Sequence, residues 1–260
     1  MLLLLLLSHA FAASHNKTLA IFNSWNDFSP PVTFTWPDST KPDSLKSIAN
    51  FENPDGIWFR WGCSVVYHGK MIMIGGMPDG APSPKYLYEI DDCQAKRTNH
   101  QLPYGMASHV CAVHDDKINV CGSGSHEAIR HLNNRFQLVF VTLNNNCTAF
   151  NGTDFSDFAQ TQAVHTNGGM VSVHDSKLIV LGGGALDNPD TDVVEVYNQK
   201  YDNWGKVSSL PAPFRLFSTI SMGQFVFTFG GFSGAHQAAL DYSCMYDSVT
   251  DKDCGFEKTR

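Results

Sequence analysis

Eleven histidines and seven cysteines are the residues here best suited to metal or redox chemistry, and their spacing argues against both. His126 and His131, with Glu127 between them, fall in a predicted loop after a glycine. That spacing brings two imidazoles to one zinc ion only on a helix or with further ligands, and none can be named. His114 and His174 occupy the same place in a repeated segment as Tyr67, just before a predicted turn, so they read as structural positions on separate units. The cysteines (63, 93, 111, 121, 147, 244 and 254) contain no Cys-x-x-Cys, and redox catalysis finds no support. Gly182-Gly183-Gly184 follows an apolar run but lacks the lysine and helix of a phosphate-binding loop. Asp187–Asp192 and Asp247–Asp253 lack the ligand spacing of a helix–loop–helix calcium site and read as solvated turns. No catalytic residue, metal ligand or cofactor is assigned.

Two other kinds of chemistry remain. Cys111 and Cys121 flank one predicted hairpin, and Cys244 and Cys254 bracket the turn Asp247–Asp253, so all four are candidate disulfide cysteines. The alternative is a buried thiol acting as a small hydrophobe. Seven is odd, so at least one cysteine lies outside any pairing within the chain. Asn16-Lys17-Thr18, Asn146-Cys147-Thr148 and Asn151-Gly152-Thr153 are N-glycosylation acceptors. Leu2–Leu7 is an unbroken apolar run followed by Ala10-Phe11-Ala12, a small-x-small cleavage pattern, although no positive charge stands near Met1. Residues 1–12 are therefore expected to be a signal peptide, and the protein to be secreted, extracellular or luminal. No other segment approaches eighteen apolar residues, so no membrane anchor is expected. A net charge of −7 with no basic run disfavours nucleic acid as a partner.

The elements that must position these residues come from a repeat. Twenty-one glycines, twelve prolines and 12% aromatics within 43% hydrophobic residues suit many short strands joined by tight turns. Four thirteen-residue segments share one grammar of apolar run, polar turn, apolar run and glycine pair: Ser64–Gly76, Cys111–Ser123, Val171–Gly183 and Thr219–Gly231. Their turn centres are His68-Gly69, Asp115-Asp116, Asp175-Ser176 and Gly223-Gln224, residue types that tolerate tight-turn dihedrals. Lys70, Lys117 and Lys177 follow the turn, where each can keep its charge in solvent. The first glycines stand at 75, 122, 182 and 230, and intervals of 47, 60 and 48 fit a four-stranded unit of roughly 40–50 residues. The long interval predicts an insertion loop around Asn144–Gln162.

These residues resemble the Kelch repeat, in which a glycine pair ends one strand and an aromatic-bearing strand and a tryptophan follow. The third repeat matches throughout, with Gly182-Gly183, Tyr197, Trp204 and Leu210-Pro211. The first has Gly75-Gly76, Tyr86, Tyr88 and Leu102-Pro103 without the tryptophan. The second keeps only Gly122-Ser123, and the fourth has Gly230-Gly231, Tyr242 and Tyr246, with Cys254 near the tryptophan position. The resemblance covers residues 62–260 and implies an all-β Kelch-type β-propeller of four-stranded blades, four of them recognisable. Residues 13–61, with strands read at Thr18–Phe22 and Pro31–Trp36, leave three readings: a truncated chain, which is preferred because no closing strand is read at Glu257–Arg260, a fifth irregular blade, or assembly with another copy. The resemblance implies a recognition or scaffold module whose loops bind an as yet unknown protein or glycan. The other class it implies is a sugar-active or metal-dependent enzyme built around Asp79, His126, Asp187 and His236.

Overall fold

The computed structural model describes residues 10–13, 18–21, 32–35, 46–47, 61–76, 85–91, 94–132, 135–174, 176–184, 189–240 and 242–258. The described chain is all-β and holds five four-stranded antiparallel sheets. The N-terminal sheet pairs β1 (Ala10–Ala13), β2 (Thr18–Ile21), β3 (Val32–Thr35) and β4 (Lys46–Ser47) in sequence order. Both strands read from the sequence, at Thr18 and Val32, are there. Residues 1–9, Asn16 and residues 51–60 lie outside the described residues.

Four sheets then follow the repeat, and each begins with a predicted hairpin. The first runs β5 (Cys63–Tyr67), β6 (Lys70–Ile74), β7 (Tyr86–Asp91), β8 (Gln94–Gln101). The second is β9 (Val110–His114), β10 (Lys117–Leu132), β11 (Arg135–Phe150), β12 (Phe155–Phe158). The third is β13 (Gly169–Val173), β14 (Lys177–Leu181), β15 (Val194–Asn198), β16 (Asn203–Lys206). In the fourth, β17 (Ser218–Met222) and β18 (Phe225–Phe229) are separated from β21 (Tyr242–Asp247) and β22 (Lys252–Lys258) by a ribbon, β19 (Phe232–Ser233) and β20 (Ala238–Ala239).

Turn chemistry sets the hairpins. His68 and Gly69 have φ of 50° and 77°, and Asp115 and Asp116 have 51° and 53°, the left-handed pair that a two-residue hairpin requires. The third turn is one residue longer than predicted, because Val173 pairs with Lys177 and leaves His174 in the turn at φ 50°.

The predicted insertion loop at Asn144–Gln162 is corrected. Asn144–Phe150 is the third strand of the second sheet, and Phe155–Phe158 is its fourth. The extra length is a two-stranded ribbon, because β10 and β11 continue their pairing past Gly122 through register shifts as far as Leu132 and Arg135. His126 and His131 thus lie on a strand rather than a loop, roughly 16 Å apart at strand rise.

Successive sheets lie face to face with a core between each pair. Ile72, Ile74 and Leu87 meet Ile118, Val120 and Phe150 between the first and second. Ala112, Cys121 and Cys147 meet Leu178, Val180 and Trp204 between the second and third. Ile179, Leu181 and Val194 meet Val226, Cys244 and Tyr246 between the third and fourth. Alternate residues of β14 therefore serve opposite cores, which is why its sequence is apolar throughout. Burying each such side chain contributes about 1.5–3 kcal/mol. The first strands β5, β9, β13 and β17 are neighbours in turn.

Candidate functional site

The glycine pairs mark one end of the molecule and set its backbone. Gly75 and Gly76 have φ of 57° and 113°, Gly182 and Gly183 have 58° and 109°, and Gly230 and Gly231 have 67° and 115°. The same two left-handed residues thus recur in three sheets, and the second sheet keeps only Gly122, at 62°. Space as well as dihedral demands glycine. A Cβ on Gly75 would lie 2.4 Å from the Met106 carbonyl oxygen, and one on Gly183 would lie 2.8 Å from the Thr166 carbonyl oxygen. The freed amides bind across to the next sheet, Gly76 N–H to Met106 O and Gly183 N–H to Phe214 O, both at 2.9 Å.

A second repeated feature escaped the sequence reading. Trp61, Ser108, Asn167 and Leu216, each just ahead of a first strand, all have φ between 57° and 60°. Their peptides are linked in series: Ser108 N–H donates to Trp61 O at 2.5 Å, Asn167 N–H to Ser108 O at 2.7 Å, and Leu216 N–H to Asn167 O at 2.8 Å. Side-chain type carries no signal here. What recurs is the distance ahead of the first strand.

Buried polar pairs hold this end together. Glu195 and His165 are both fully buried. His165 Nε2 lies 3.0 Å from Glu195 Oε1, and its Nδ1 lies 2.7 Å from Gly182 O. Both ring nitrogens face oxygen atoms, one a carboxylate and one a carbonyl. The amides of Gln162 and Ala163 donate to the same carboxylate at 2.8 and 2.7 Å. Burial pushes the Glu195 carboxyl up, but these hydrogen bonds outweigh it and hold the group below its usual range. Arg215 Nη1 lies 3.0 Å from Asp190 Oδ1, while Gly234 N–H donates to Asp190 Oδ2 at 2.5 Å. The Arg215 guanidinium also sits over Phe232, 5.4 Å from the ring centre. One clamp therefore ties residue 190, the linker before β17 and the β19–β20 ribbon. Nearby, Ser123 Oγ and Thr166 Oγ1 are buried without a hydrogen-bond partner among the described residues.

A separate groove of about 420 Å³ runs between the fourth strands of the first two repeat sheets, lined by Asn99, His100, Gln101, Thr153, Asp154 and Asp157 among others. Burial and then the charge of Asp157, which lines this groove, raise the Tyr104 hydroxyl to about 12.

The remaining candidates are placed as follows. Tyr197 donates to Asp202 at 2.8 Å, and Trp204 is buried with its indole N–H on Ala159 O at 2.8 Å, tying the third sheet to the second. Cys111 and Cys121 are both disulfide-bonded, but not to each other. Cys111 bonds Cys63 of the neighbouring sheet, and Cys121 bonds Cys147 on β11. Register explains this, since Cys121 faces Val110 and Cys111 faces Val120 across the hairpin, whereas Cys121 stands directly opposite Cys147. Cys244 is buried in the core beside the third sheet, and the Cys254 side chain lies outside the described residues. Asn151 is exposed in a turn, and Asn146 is half-buried on β11. His236 is exposed at the ribbon tip, the side chain of His126 is not described, and Asp79 and Asp187 lie outside the described residues. Among the described residues no group of three or more His, Cys, Asp or Glu could hold a metal ion. No helix there is long and apolar enough to cross a membrane. No family model matches the chain.

Proposed function

We propose that this chain is an exported recognition module on a Kelch-type β-propeller, binding a protein or glycan through the loops at its glycine-pair end. The observation that carries the reading is the serial hydrogen bonding of Trp61, Ser108, Asn167 and Leu216. One inter-sheet step repeated three times, with first strands side by side, is what sheets arranged around an axis require. At the glycine-pair end, the Asp190–Arg215 clamp supports recognition by holding loops from two sheets in one arrangement before any partner arrives. Export is supported by two disulfides, a bond type that persists in oxidising compartments, together with the apolar leader.

The test is secretion from eukaryotic cells, followed by binding of the purified product to an oligosaccharide array and by cross-linking on live cells. The reading expects secretion with the four disulfide cysteines oxidised, and binding that Arg215→Ala abolishes while secretion persists. Retention with all thiols reduced would sink the export claim. Binding untouched by Arg215→Ala would move the recognition surface elsewhere. The groove bearing His100, Asp154 and Asp157 favours one rival, a sugar-active enzyme. Release of reducing sugar by the purified chain, lost in Asp154→Asn, would replace the recognition reading.

A further inference from the structure

We infer that, of the two acceptors on the second repeat sheet, Asn151 and not Asn146 carries an N-linked glycan in the folded protein, and that this glycan rises from the end opposite the glycine pairs. The inference rests on the export reading and adds which acceptor is filled and which end of the molecule it covers.

The turn joining β11 to β12 is shaped around Asn151. Its Oδ1 accepts from Thr153 N–H, Thr153 Oγ1–H and Asp154 N–H, all at 2.9 Å. The carboxamide oxygen is thereby fixed on an exposed residue, and the hydrogen bonds shown use Oδ1 and not Nδ2. Gly152 has φ 97°, and a Cβ there would lie 3.3 Å from the Tyr67 hydroxyl oxygen, so the turn rests against the first sheet. Modification joins Nδ2 to the anomeric carbon of an oligosaccharide carried on a lipid diphosphate. The N–C bond forms as the C–O bond to the diphosphate breaks. The diphosphate leaves with the electron pair, and Nδ2 gives one proton to a base of the transferase.

Asn146 offers the opposite environment. It is half-buried within β11, and its Oδ1 accepts from Gln160 Nε2 at 2.5 Å. Cys147 is tied to Cys121, and Thr148 is fully buried with its hydroxyl donating to Ser156 O at 3.3 Å. A glycan on half-buried Asn146 would crowd the β11–β12 edge, where the neighbouring Gln160 is held against the Asn146 Oδ1.

Topology fixes the consequence. In the second repeat sheet β10 runs past Gly122, β11 runs back beside it to Phe150 and β9–β10 turns at Asp115-Asp116, so the Asn151 turn shares its end with the first-strand hairpins, β5–β6 among them. A glycan there covers that end and leaves the glycine-pair loops open to a partner.

The experiment appends a cleavable leader of known efficiency to residues 13–260, so that failure of the chain's own leader is read separately. Secreted, folded protein is digested, and occupancy at each asparagine is read by mass spectrometry with and without peptide-N-glycanase. Asn151 should be filled and Asn146 bare, Thr153→Ala should empty Asn151, and Thr153→Ser should restore it. A bare Asn151, or a filled Asn146, in the secreted folded protein overturns the inference. If the native leader alone fails to export a chain that the appended leader exports, the export reading falls while the site assignment stands.

Discussion

At the scale of single residues, the most costly substitutions should fall on buried polar groups whose partners cannot be replaced by water. Glu195 accepts two backbone amides and faces the His165 ring in a fully buried setting. Glu195→Gln is expected to cost about 2–4 kcal/mol at neutral pH, because it turns an amide donor toward backbone donors in a buried site. The folded carboxyl is held below its ordinary 4.5. Its stabilisation is therefore complete above the unfolded-state value and is lost as pH falls through the lower folded one. Urea melts of wild type and variant should accordingly differ most near neutral pH and converge in acid. An equal difference at all pH values would show that the carboxylate charge contributes nothing. Tyr197–Asp202 and Tyr246–Asp251 repeat one device, a strand tyrosine donating to an aspartate five residues on. The Asp251 carboxyl lies below its usual range, through the hydrogen bond from Ser208 N–H above all, so it too favours the folded state until acid protonates it.

At the scale of elements, glycines that look alike in sequence should behave differently. Gly69 and Gly182 both have positive φ, at 77° and 58°. A Cβ on Gly69 meets nothing within 4 Å, whereas on Gly182 it would lie 2.8 Å from Phe217 Cε1 and 3.0 Å from Phe214 O. Gly69→Ala should therefore cost only the backbone strain of about 1–2 kcal/mol. Gly182→Ala should cost clearly more and disturb the linker ahead of β17. Thermal melts of the two variants decide this, and equal losses would mean that the glycine-pair packing is slack. The same residues show how far the sequence could be read. All four hairpins were legible from alternating apolar runs and turn residues, since those signals are local. The β10–β11 ribbon was not, because Gly122-Ser123 resembles a strand terminator and only the continued pairing beyond it reveals an extension.

At the scale of the whole molecule, repeat-equivalent positions differ by what lies against them. Leu181 and Phe229 both end a second strand just before a glycine pair, yet Leu181 is 1% exposed and Phe229 is 45% exposed. Leu181→Ala should cost about 2–5 kcal/mol, while Phe229→Ser should change the melting temperature little. A large loss for Phe229→Ser would show that something covers that face in solution. The disulfides act at the same scale. Cys63–Cys111 spans 48 residues between two sheets, and Cys121–Cys147 spans 26 within one. By loop-closure entropy each contributes roughly 3–4 kcal/mol. Reduction should therefore lower the denaturation midpoint sharply, and an unchanged midpoint would contradict both bonds.

The sequence by itself determined the local grammar: all-β character, the four hairpins, the glycine pairs and the aromatic positions Tyr197 and Trp204. Each depends on residues close together in the chain, where periodicity and turn preference act directly. Tertiary structure decided what depends on register and on neighbours. The partners of Cys111 and Cys121 followed from which residues face each other across strands. The left-handed linkers at Trp61, Ser108, Asn167 and Leu216 share a backbone conformation and no side chain. The His165–Glu195 pair joins residues thirty apart, and burial gives it its strength. Hydrogen bonds between peptide groups and contacts between distant strands leave no composition or spacing behind them, so only the folded chain could reveal them.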